Sequence, residues 1–137
     1  MPKLRELRML SLAGAKALAE AAEAEARGRG WTVAIAVVNS QAGLILFHCM
    51  DGTQPGSQQV AIEKARTAVN FKRPTKALED ALTGGRTGLL SMPGIITLEG
   101  GVPVVVDGEI VGAIGISGMQ SAQDGVIAAA ALEAFGR

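Results

Sequence analysis

The side chains able to do chemistry gather in one stretch of the chain. Asp51, Gly52 and Thr53 lead into Gln54-Pro55-Gly56-Ser57, and a helical run from Gln58 to Lys72 then carries Lys64 and Thr67. A carboxylate, hydroxyls and an amine so arranged suit acid–base work or the holding of a small anion. Gly52, Pro55 and Gly56 interrupt any regular element, so Ser57 is expected to cap the helix that follows. The first-turn amides would then stay unpaired at the positive end of the helix dipole, a setting for an acid, a phosphate or a propionate.

Val60, Lys64, Thr67 and Phe71 share one helix face by their spacing, and that face is otherwise apolar. Two readings of Lys64 stand side by side. It is a cation near a ligand, paired with Asp51 or Glu99, or its stem covers apolar surface while the ammonium reaches water. His48 and Cys49 immediately precede the turn. A thiol near a helix start can act as a nucleophile, whereas a cysteine on a strand packs as a small hydrophobe. One His and one Cys cannot furnish a zinc site, and a lone Cys excludes an intrachain disulfide, so no metal centre is expected.

The elements that position these groups follow from periodicity. Leu4, Leu7, Leu10, Gly14, Leu18, Ala21 and Ala22 form a stripe that predicts a long helix over residues 3–27, ended by Gly28-Arg29-Gly30. The β-branched run 31–38 predicts a strand buried on both faces, and 44–50 returns as its hairpin partner. After the Lys64 helix, Pro74 breaks the pattern and Thr75 is expected to cap a short helix to about Thr83. Residues 94–98, 102–106 and 109–117 read as strands, with Gly100-Gly101 as a turn and Asp107-Gly108 as a tight hairpin. Ser121 with Asp124 resembles a capping box ahead of a final Ala-rich helix. Hairpin connections imply an antiparallel sheet covered by helices, an α/β class of the segregated, α+β type.

The 137 residues are expected to form one domain, 1–137. Thirteen basic and thirteen acidic residues cancel, and no basic run or aromatic platform points to nucleic acid. No signal peptide is recognisable and no apolar run reaches about 18 residues, so no membrane span and a cytoplasmic location are expected. With 48% hydrophobic and 19% charged residues, the chain is expected to self-associate as a homo-oligomer.

Asp51-Gly52-Thr53, the run Ile62 to Ala68, Gly100-Gly101-Val102-Pro103, the run Asp107 to Gly118 and Gln123-Asp124 occur in an order that resembles the GlcG/HbpS-like family. That family also supplies the C-terminal domain of PduO-type proteins, and the likeness spans about Trp31 to Phe135. It implies a profilin-like fold, a five-stranded antiparallel sheet flanked by helices, assembled into dimers or larger oligomers. It also implies small-molecule binding, with haem as the cofactor described for some members. The matched positions Asp51, Gly52, Lys64, Thr67, Gly100, Gly101 and Ser117, joined by Ser57, make the expected ligand cleft. Should haem bind, His48 is the one imidazole able to ligate it, with Met50, Met92 or Met119 as a second ligand; a hydrogen-bonded core or interface histidine is the other reading. A cofactor-free enzyme acting on a small carboxylic or aromatic acid, with Lys64 and Asp51 as acid and base, is the alternative function. Three departures stand out: Cys49 where the family often has Arg, Met119 where it often has Gly or Ala, and no His in the first helix.

Overall fold

A computed structural model describes residues 2–136. Helix α1 runs Leu12–Gly28, followed by strands β1 (Ala34–Asn39) and β2 (Leu44–Cys49), then helices α2 (Ser57–Asn70) and α3 (Thr75–Thr83). A 3-10 turn at Thr87–Ser91 leads to β3 (Gly101–Val106), β4 (Glu109–Ser117) and helix α4 (Ser121–Phe135). The sheet is antiparallel throughout with the order β2-β1-β4-β3, which confirms the α+β class. It holds four strands rather than five. Residues 94–98 join no ladder, and the Ile96 amide donates instead to Thr67 Oγ1 at 3.1 Å.

Both predicted hairpins form, for visible reasons. Asn39 Oδ1 accepts the amides of Gln41 and Gly43 at 2.9 and 3.0 Å, closing the β1–β2 turn. Asp107 and Gly108 take φ of 51° and 77°, the left-handed pair that matches strand twist.

The period-two alternation of β1 sorts its side chains between two cores. Val33, Ile35 and Val37 pack with α1 and α4, while Ala34, Ala36 and Val38 face Ala61, Ala65 and Ala68 of α2. The sheet is thus sandwiched, and β1 is buried on both faces as its sequence predicts. On the α1 side, Ala15, Leu18, Ala19, Ala22 and Ala26 are fully buried, so the helix seats closely.

The first helix is shorter than its apolar stripe. Ser11 caps it, accepting the Gly14 amide at 3.1 Å, and residues before it run across the end of the sheet. A bulge between Val104 and Val105 leaves Val111 without a β3 partner, and its carbonyl takes the Leu10 amide at 2.9 Å. Among the described residues no helix is long and apolar enough to cross a membrane.

Candidate functional site

Lys64 projects from α2 into the packed interior, with a relative exposure of 2%. Its ammonium donates to the Ile116 carbonyl at 2.9 Å and to Asp124 Oδ2 at 3.2 Å. The partner is therefore Asp124 on α4, not Asp51 or Glu99, and the lysine does not reach water. Asp124 is equally buried and accepts the Met119 amide at 3.0 Å through its other oxygen. Burial raises the Asp124 carboxyl above its ordinary range, while the Lys64 charge and the amides of Met119 and Gly118 pull the other way.

Gly100 and Gly101 serve this lysine directly. Gly100 has φ of 136°, and a Cβ there would lie 2.5 Å from the Ile116 carbonyl and 2.8 Å from Lys64 Nζ. A Cβ on Gly101 would collide with the Lys64 carbonyl. The Gly100-Gly101 pair thus brings backbone close to the protein's own side chain. Thr67, also buried, spends its hydroxyl on the Glu63 carbonyl and the Ile96 amide, and Ser117 ends β4 at 6% exposure. Lys64, Gly100, Gly101 and Asp124 converge, but on one another.

The turn ahead of α2 differs from its sequence reading. Gly56 is the cap residue and Ser57 is the first helical residue, buried, its hydroxyl accepting from Gln54 Nε2 at 2.9 Å. The amides of Ser57 and Gln58 already donate to the carbonyls of Gln54 and Pro55 at 3.1 and 3.2 Å. Two of the amides expected to cradle an anion are thus taken by the turn itself. Thr53 Oγ1 is closed to solvent and lacks a partner, while Asp51 and Gly52 are exposed. Two further caps also shift. Pro74 precedes α3 and the Thr75 hydroxyl accepts the Gly101 amide at 2.9 Å; Gln120 caps α4, with Gln123 accepting its amide at 3.0 Å, which frees Asp124 for Lys64.

His48 stands on the edge strand β2, opposite Ile35, so its ring faces α1. Its Nδ1 lies 3.1 Å from Glu23 Oε1, with side-chain exposures of 36% and 28%. An ionised carboxylate only accepts, so Nδ1 carries the hydrogen and the neutral ring keeps a free lone pair on Nε2. Beside it, Glu23, Arg27, Cys49, Met50 and Asp51 line an open recess of about 340 Å³. Cys49 is exposed rather than buried. Sequence reasoning reached His48 but missed Glu23, because nothing in a helix stripe marks which carboxylate faces a strand 25 residues later. Among the described residues no group of three or more His, Cys, Asp or Glu is gathered to hold a metal ion.

Comparison with known proteins shows what the whole chain is similar to. GlcG of Escherichia coli K12 is 43% identical over 109 residues, 80% of this chain and 81% of its own. A double-mutant HbpS of Streptomyces reticuli superposes with a TM-score of 0.92 at 33% identity, covering 100% of this chain and 94% of that one. The PduOC–haem complex gives 0.84 at 28% identity, covering 92% and 94%. The family model described as haem degrading protein HbpS-like matches residues 10–133, and this chain therefore belongs to the HbpS-like family.

Proposed function

We propose that this protein binds a small molecule, with haem as the foremost candidate and His48 as the residue that meets its iron. The observation that carries the reading is the His48–Glu23 pair at 3.1 Å. A carboxylate that holds Nδ1–H fixes the tautomer and the ring orientation, the arrangement found behind metal-ligating imidazoles. The relatives support the choice of ligand, since one similar structure is a haem complex. Haem, when bound, supplies an iron that accepts an imidazole nitrogen. The recess beside His48 fits it in part: Arg27, which pairs with Glu23 at 3.6 Å, stands at its wall within reach of a second carboxylate, and Met50 gives an apolar contact. Asp51 belongs to this wall. Lys64, Thr67, Gly100 and Gly101 position the sheet and helices instead.

The recess is shallow for a macrocycle, and a second copy of the chain supplies the missing cover in this reading. Self-association also suits a chain with zero net charge and 48% hydrophobic residues.

Absorbance titration with haemin tests the proposal. A saturable, stoichiometric Soret change is expected, abolished in His48→Ala and weakened about tenfold or more in Glu23→Gln, the loss typical of second-shell partners. Binding without an end point, or unaltered in His48→Ala, overturns it.

A further inference from the structure

At the end of the sheet opposite His48, the N-terminal segment crosses the β1–β2 turn, the C-terminal end of α2 and the β3–β4 turn. Between them lies a recess of about 360 Å³, within the ~300–1,000 Å³ typical of small-molecule sites. Val69 and Ile110 give it apolar walls, while Arg5, Arg8 and Lys72 are the cations around it. Arg8 is already spent, 3.4 Å from Asp107 and 3.3 Å from Glu109. Arg5 and Lys72 have no carboxylate partner among the described residues. Of the lining groups only Glu109 is acidic, so the recess is positive in a chain whose total charge is zero.

Two further observations point to a ligand. Ser40 is part of the wall, and its hydroxyl is shut from solvent without a partner, a buried polar group that calls for one. Lys72 has φ of 54°, a conformation that favours glycine after a helix and costs an L-residue stability. The chain nevertheless places a cation there, beside the recess and unpaired. We propose that this recess binds a small organic carboxylate with an apolar body, its anionic end held by Arg5, Lys72 and Ser40 and its body against Val69 and Ile110. The site is separate from the one at His48, which lies near the start of β1, whereas Ser40 follows its last residue.

Benzoate is a suitable probe, titrated into ¹⁵N-labelled protein with benzyl alcohol and inorganic phosphate as controls. Saturable shifts are expected for the amides of Gln41, Lys72 and Gly108 with benzoate. Neither control should match its affinity. Arg5→Gln and Lys72→Gly should each weaken binding about tenfold, the scale of one charge-assisted hydrogen bond. Lys72→Gly also relieves the left-handed backbone, so its melting temperature should hold or rise while binding falls, which separates a ligand role from a folding one. Absence of saturable shifts overturns the proposal, as does equal binding of benzyl alcohol, equal binding of phosphate, or unchanged affinity in both variants.

Discussion

Among the described residues, Lys64 heads the fully buried side chains by size, and Asp124 is what makes that burial tolerable. An ammonium with one carbonyl and one carboxylate inside a low-dielectric core depends on both. Asp124→Ala should therefore destabilise the fold by about 3–5 kcal/mol in urea melts, the cost of stranding a buried charge. The pair also gives a pH dependence with a definite sign. Because burial holds the Asp124 carboxyl above 3.8, the folded state binds its proton more tightly than the unfolded chain does. Its contribution is complete below 3.8 and declines as pH rises through the raised value. The stability difference between wild type and Asp124→Asn should fall with rising pH across the mildly acidic range; a difference that grows instead would show the Lys64 attraction outweighing desolvation. The sequence made Lys64 legible through its helix face, and the Gln123-Asp124 motif was visible too. Their contact was not, because the Ser121 to Asp124 spacing accounts for a cap equally well and the two residues are 60 positions apart.

Among the elements, α2 lies so close to the sheet that the packing depends on missing side chains. A Cβ on Gly115 of β4 would strike the Ala61 carbonyl of α2, and the Ala61, Ala65 and Ala68 face keeps that separation small. Backbone cannot give way as a flexible side chain can, so Gly115→Ala should cost about 1–3 kcal/mol or more, read as a lowered midpoint of thermal or urea unfolding. An unchanged midpoint would mean that α2 slides outward freely. The same closeness explains which elements the sequence disclosed. Strand alternation and turn chemistry are local, so β1, β2, β3, β4 and both hairpins were readable from their residues. Residues 94–98 carry strand-like Ile95-Ile96-Thr97, yet Thr67 on α2 captures the Ile96 amide, a long-range competitor that no local pattern reveals. The N-terminal segment fails as a helix for the same kind of reason: the bulge carbonyl of Val111 claims the Leu10 amide.

For the molecule as a whole, the two sheet edges are unlike. Strand β2 carries His48 and the polar recess, while β3 presents Val105 at 58% exposure beside a groove lined by Val106, Leu132 and Phe135. Pro103 removes one donor from the β3 edge, which argues against simple strand-to-strand extension. Self-association through this edge would instead rest on side-chain burial, at about 25 cal/mol per Å² of apolar surface removed from water. A lysine at position 105 would leave an unpaired charge in such a contact but sits harmlessly in solvent on a monomer. Sedimentation equilibrium over a range of concentrations should accordingly find wild type as an oligomer and Val105→Lys shifted to smaller species, with an unchanged melting curve at low concentration. If Val105→Lys keeps the wild-type mass, the contact lies on another face; if wild type is monomeric throughout, the second-copy cover proposed for the His48 recess fails with it, and any haem would have to bind there to a single, half-open wall.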